Sequence, residues 1–279
     1  MLTTVQTMNY GTVSGLVNAL SARYRFLGVV PLGCSVCGRN LWSLTIGNGN
    51  ESVLIAAAFH GQEWITSWVC LRLCEDLCGA LEKNRELLGW NVRRAMTDRR
   101  LVLVPLVNPD GVEQGLHDRM WQANANGVDL NHNFNAGWDK LQQQEREKGI
   151  CGPCARQWGG TAPASEPETQ ALVNLCERIP FRHVVALHSQ GEEIYWQYGK
   201  HTPSESRLMA MTMAAASGYR VSKPTGLASH GGFKDWFIET YRRPGFTVEL
   251  GKGRNPLPLS DFEVVYRKAR EMLLISAFL

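Results

Sequence analysis

The chain has 279 residues, 44% of them hydrophobic and 20% charged, which is enough to bury a sizeable core and ordinary for a globular protein. Its formal charge of +3 comes from 29 basic and 26 acidic residues interleaved along the chain, so no block of one sign offers a footprint for nucleic acid. No stretch approaches about 18 uninterrupted apolar residues, so no membrane-spanning helix is expected.

The opening segment, MLTTVQTMNYGTVSGLVNALSARY, lacks a basic start, an apolar core and a small-residue cleavage site, and a cytoplasmic protein is expected. Residues 12–24 carry apolar positions at helical spacing. GVVPLG breaks that pattern before NLWSLTIG, which alternates like a strand. After the turn GNGNES, residues 53–59 (VLIAAAF) are continuously apolar, as a central strand covered on both faces would be, and the run ends at His60. Residues 64–88 return to a helical pattern, with Cys70, Cys74 and Cys78 as small buried groups on one face. A second buried strand is expected over residues 101–107, closed by Asn-Pro-Asp-Gly.

Further along, Ser165 reads as the cap of a helix reaching about Arg178, with Glu168 in the capping-box position, and HVVALHS follows as a strand. Residues 205–217 read as a helix, GLASHGG as a flexible loop, KDWFIETY as a short helix, PGFTVELG as the last internal strand and the segment from Ser260 as a helix. This alternation predicts a single α/β domain over residues 1–279. Its sheet is parallel or mixed with helices on both faces, and ligands sit outside the carboxyl ends of strands.

Four of the eight cysteines form CxxC pairs, Cys34/Cys37 and Cys151/Cys154. A structural zinc site or a redox couple would use such pairs. However, Cys151 follows the polar run DKLQQQEREKG and precedes the loop ARQWGGTAPASEP, where a redox cysteine needs a strand before it and a helix after it. Incidental thiols are the expected reading.

Three predicted strands deliver a metal-capable or catalytic residue at their carboxyl ends: VLIAAAF leads to His60, VVAL to His188 and FTV to Glu249. Glu63, three residues beyond His60, adds an oxygen ligand across a turn for which Gly61 supplies freedom. Two histidines and one carboxylate leave a fourth tetrahedral position open, the pattern of a catalytic zinc. Glu249 is then the expected general base, taking a proton from metal-acidified water and passing it to the departing amine. HxxE alone recurs by chance, and a lone strand-end histidine is more often structural than a ligand. The convergence of three strand ends carries the assignment.

The segments AAAFHGQEWITS, LVNPDGVEQG, GVDLNHNFNAGW, GGTAPASEPET, ALHSQGEEIYW and GFTVELGKGRNPLP occur in the order found in zinc carboxypeptidases, and the resemblance spans nearly the whole chain. It implies a mixed, roughly eight-stranded twisted sheet flanked by helices on both faces. It also implies one zinc ion on His60, Glu63 and His188, with Glu249 as base. Within the family, SEPET, HSQGEEIYW and GKGRNPLP resemble the bacterial γ-D-glutamyl-diaminopimelate peptidases, which cut peptidoglycan stem peptides.

The chain departs from the family pattern in three places. Where carboxypeptidases carry Asn-Arg to grip a terminal carboxylate, this chain has Asn131-His132, and histidine offers less charge and no fork of donors. Gln122 stands where the family places a basic oxyanion donor, while Arg119 matches another substrate-site arginine. At KDWFIETY, where digestive members place a mobile tyrosine, Phe237 and Ile238 stand instead, with Phe237 a candidate pocket wall. Ser189 and the acidic pair Glu192-Glu193 complete the expected substrate contacts. The pair is placed to receive the side-chain ammonium of a diamino acid, and Tyr195 and Trp196 to form a wall. The expected activity is hydrolysis of the γ-D-glutamyl-diaminopimelate bond in muropeptides. A general carboxypeptidase and a catalytically weak muropeptide-binding module are the alternatives.

Overall fold

The computed structural model describes residues 8–279; residues 1–7, part of the segment read above for a leader, lie outside the described residues. In chain order the elements are α1 (Tyr10–Arg23), β1 (Gly28–Cys34), β2 (Asn40–Ile46), β3 (Glu51–Ala57), α2 (Ile65–Glu82), the short hairpin β4 (Glu86–Leu87) and β5 (Trp90–Asn91), α3 (Val92–Ala95) and β6 (Arg99–Val104). Then come α4 (Pro109–His117), α5 (Trp138–Glu147), α6 (Pro167–Arg178), β7 (Phe181–His188), β8 (Glu193–Tyr195), α7 (Ser206–Ser217), β9 (Arg220–Ser222), α8 (Phe233–Tyr241), β10 (Gly245–Glu249) and α9 (Phe262–Phe278).

Eight strands form one mixed sheet in the order β1-β2-β6-β3-β7-β10-β8-β9. Its centre, β6-β3-β7-β10, is parallel throughout, and antiparallel pairs join it to the flanks. The unbroken apolar run of β3 explains itself by the two-residue period of a strand. Val53, Ile55 and Ala57 enter a core with α1, α2, α7 and α9, while Leu54 and Ala56 enter a second core with α6 and α8. Buried apolar side chains fill both cores, so the centre of the sheet is fixed from two sides.

Several expectations are corrected. GVVPLG is not a break but most of β1. Proline is tolerated there because β1 is an edge strand, and the ladder with β2 shifts register between Pro31 and Gly33. The run DKLQQQEREKG is largely α5, hidden from periodicity because only Leu141 and Glu145 on it are buried. The helix expected over 64–88 stops at Glu82, and the strand expected over 101–107 stops before Pro105. Helix α6 is capped at Glu166 with Pro167 at its first position, not at Ser165. Glu168 turns away to accept from the Val36 amide at 3.1 Å and from Asn124 at 3.1 Å.

Candidate metal centre and its surroundings

Strand β3 ends at Ala57, and the chain then passes through a left-handed Ala58 (φ 54°) before the 3₁₀ turn Gly61–Glu63. Thr66 fastens this turn, its hydroxyl accepting from the Ala58 amide at 2.9 Å and donating to the Glu63 carbonyl at 2.8 Å. Gly61 is needed for closeness rather than for turning. Its φ is not left-handed, and an added Cβ would collide with the Gly111 carbonyl of α4. Asn108, capping α4, holds the same corner through the Phe59 and Ala123 carbonyls.

His60, Glu63 and His188 present ligand atoms within 4.8 Å of one another, and they are the one group of potential metal ligands among the described residues. Glu63 lies between the histidines, its Oε1 2.9 Å from His60 Nδ1 and its Oε2 3.0 Å from His188 Nδ1. Both Nδ1 atoms therefore face the carboxylate and share one focus. The other nitrogen of His60, Nε2, lies 3.0 Å from Asp129 Oδ1, the outer carboxylate that fixes the ring and tautomer of a metal-binding histidine. This donor set, two imidazoles and a carboxylate with a second carboxylate behind, fits zinc.

The electrostatics follow from burial among opposite charges. Burial opposes charge on Glu63, but His60 and His188 outweigh it and hold the carboxyl down at about 2. Burial likewise opposes a charged His60, and the Glu63 and Asp129 carboxylates overcome it, holding His60 well above its ordinary value. Asp129 is depressed, its burial outweighed first by His60 and then by His132. Glu249 ends β10, paired with His188 in the parallel ladder and with Glu193 in the antiparallel one. Burial, then the charges of Glu63 and Glu193, push its carboxyl well above the usual range.

The expected substrate contacts separate into groups. Gln122 stays beside the ligand turn: its carbonyl accepts from the Gly61 amide at 3.0 Å, and its side-chain oxygen accepts from Arg156 Nε at 3.1 Å. Arg119 is exposed and lines a cleft of about 600 Å³ with Arg254 and Asn255. Ser189 donates its hydroxyl to Asn255 at 2.9 Å and its amide to Glu63 at 3.3 Å. Asn131 accepts from the Phe233 amide at 3.1 Å and so positions the start of α8.

Others turn elsewhere. Phe237 is buried in the core between sheet, α6 and α8, so it fills volume rather than lining a pocket. His132 is buried with Nδ1 3.1 Å from both Glu145 and the Gln157 carbonyl. Glu192 is already neutralised by Lys268 at 2.7 Å and Lys252 at 3.1 Å. Glu193 accepts from the Tyr195 hydroxyl at 2.6 Å and pairs with Arg220. The acidic pair is thus engaged by the chain's own donors, leaving neither carboxylate free for an ammonium group. Among the described residues the CxxC cysteines join no metal-ligating group. Cys34 contacts Asn40, Cys154 donates to the Arg156 carbonyl, and all eight cysteines are free.

Asp129 and Asn255 are the site residues that sequence reasoning left without a role. Both lie inside recognisable strings, GVDLNHNF and GKGRNPLP, but each acts through a partner far along the chain.

Comparison with known proteins agrees with this geometry. The family description "zinc carboxypeptidase" matches residues 15–272. A γ-D-glutamyl-L-diamino acid endopeptidase of Lysinibacillus sphaericus is 35% identical, covering 98% of this chain and 73% of the relative. The carboxypeptidase A of Helicoverpa armigera shares the fold, with a TM-score of 0.81 at 21% identity over 98% of this chain and 73% of its own. The murein-tripeptide amidase MpaA of Escherichia coli O157 superposes with a TM-score of 0.58 at 26% identity over 88% of this chain and 91% of its own.

Proposed function

The chain belongs to the zinc carboxypeptidase family, and from that premise we propose that it hydrolyses the γ-D-glutamyl-diaminopimelate bond of peptidoglycan stem peptides. The observation that carries the reading is the His60-Glu63-His188 cluster at the ends of adjacent strands, with Glu249 beside it, in a chain 35% identical to a γ-D-glutamyl-L-diamino acid endopeptidase. Residues 1–279 act as one catalytic domain in this reading. We place its action in the cytoplasm, where eight free thiols stay reduced.

His60, Glu63 and His188 would hold one zinc ion, which supplies Lewis acidity to acidify water and polarise the scissile carbonyl. Asp129 keeps His60 oriented through Nε2. Glu249 takes the proton of the attacking water and returns it to the departing amine, its burial and the neighbouring Glu63 and Glu193 charges strengthening its hold on a proton. Gln122, held against the ligand turn, offers its amide N–H to the developing oxyanion. Arg119 stands at the mouth and takes a substrate carboxylate. His132, turned toward Glu145, leaves the terminal carboxylate of an ordinary peptide without the expected arginine fork.

The test incubates zinc-loaded protein with a γ-D-glutamyl-meso-diaminopimelate peptide and, separately, with acyl-dipeptides bearing a free C-terminus. The muropeptide is expected to be cleaved faster, and Glu249→Gln to lower kcat by roughly 10²- to 10⁴-fold at unchanged zinc content. Faster turnover of the acyl-dipeptides would return the protein to the general carboxypeptidases.

A further inference from the structure

Charges of both signs are interleaved along the chain, but folding gathers an excess of one sign at the end of the molecule away from the metal. Residues 23–26, at the end of α1, and residues 81–100, from the end of α2 into β6, hold eight basic and three acidic residues. Their net +5 exceeds the +3 of the whole chain, so the remainder is net negative. The two segments meet in space. Phe26, Leu81 and Arg93 line one cleft of about 470 Å³, and Arg94, the next residue of α3, lines a second of about 490 Å³ with Trp90 and Phe278. Arg23 is paired with Glu82 at 3.3 Å and Arg99 with Glu51. Among the described residues the exposed Arg25, Lys83, Arg85 and Arg94 make no ion pair.

Apolar side chains stand in the open among these cations: Phe26 is 49% exposed, Trp90 39% and Leu88 37%. Leu88 is the most telling. Leu87 pairs with Trp90 in the hairpin of β4 and β5, so Leu88-Gly89 is its two-residue turn, with φ of 51° and 78°. Such a turn favours Asn-Gly, because a leucine there adopts an unfavourable left-handed backbone and holds an apolar side chain in water. Turn chemistry therefore does not account for Leu88. Entry of its side chain into an apolar medium would relieve the exposure.

Cations interspersed with exposed tryptophan, phenylalanine and leucine suit the boundary between lipid headgroups and acyl chains. A nucleic acid would use the cations and stack on the aromatic rings, but it gives Leu88 no partner. We propose that this end of the molecule docks on the surface of an anionic lipid bilayer, with Arg25, Arg85 and Arg94 on headgroup phosphates and Leu88, Trp90 and Phe26 at the acyl boundary. No helix among the described residues is long and apolar enough to cross a membrane, so the contact is peripheral. Strand β3 starts at Glu51, beside Arg99, and runs roughly 20 Å to Ala57, just before the metal ligands. The metal site therefore faces away from the bilayer and stays open to substrate.

The test sediments the full chain with vesicles of phosphatidylglycerol and phosphatidylcholine in equal parts, and with vesicles of phosphatidylcholine alone. Binding is expected to the anionic vesicles only, and to weaken as salt is added. Arg85→Gln/Arg94→Gln removes two charges whose side chains make no hydrogen bond or ion pair among the described residues, and should lower the partition coefficient about thirtyfold. Leu88→Asn places a residue suited to the turn, so it should keep or raise the melting temperature while weakening vesicle binding about tenfold. A loss of binding in that variant is then not a loss of fold. No binding to the anionic vesicles, equal binding to both kinds, or a double variant that binds like the wild type overturns the proposal. Unchanged vesicle binding by Leu88→Asn overturns it too, and tight binding to heparin would then make the surface a site for soluble polyanions. Sedimentation needs no turnover, so the docking surface and the peptidase reading stand or fall separately.

Discussion

The surroundings of His132 favour its charged form more than its residue type suggests. Burial opposes its charge, but the carboxylates of Asp129 and Glu145 outweigh that and raise its pKa above 6.5. The stability this pairing contributes is fully present below the unfolded value near 6.5 and is lost as pH rises through the higher folded value. His132→Gln should therefore destabilise the protein most at pH 6 and progressively less toward pH 9, as read from urea midpoints of variant and wild type at each pH. A difference that does not change with pH would mean that His132 is held neutral. Its side chain braces α5 and the Gln157 loop.

At the scale of elements, the decisive structure is the corner between β3 and α2. The Thr66 hydroxyl joins the Ala58 amide to the Glu63 carbonyl, so it ties the end of the strand to the turn that aims two metal ligands. Thr66→Val would keep the shape and leave the Ala58 amide unpaired in a buried place. A loss of about 1–3 kcal/mol is expected from denaturant unfolding, together with weaker zinc retention in a chelator titration. Unchanged zinc affinity would show that the turn holds without this tie. The helical period over α2 and the apolar run of β3 are legible one residue at a time. The corner between them is not, because Gly61 is required by the Gly111 carbonyl, fifty positions away.

For the whole molecule, the two cores on either face of the sheet are closed by apolar side chains, so the fold is expected to stand without the metal. Stripping zinc should abolish activity and lower the melting temperature while leaving the far-UV circular dichroism nearly intact. Restoring zinc should recover both, with stabilisation of about 4 kcal/mol when free zinc exceeds its dissociation constant a thousandfold. Loss of the far-UV signal on chelation would show that the metal organises the sheet itself. The sheet order places β3, β7 and β10 side by side, so their carboxyl ends bring His60, His188 and Glu249 together from positions up to 189 residues apart.

The sequence by itself determined the central strands β2, β3, β6, β7 and β10, most of the helices and the clustering of His60, Glu63 and His188, because those signals are local: an apolar run, a period, a ligand at a strand end. Edge strand β1 and helix α5 escaped, since a proline and a nearly all-polar helix hide the period that burial would otherwise impose. Only the tertiary structure decided which charges remain free. Glu192 and Glu193 look available in the chain, yet Lys252, Lys268, Tyr195 and Arg220 engage them. Neighbours brought together only by folding set the charge state and accessibility of a side chain, and no spacing along the chain encodes them.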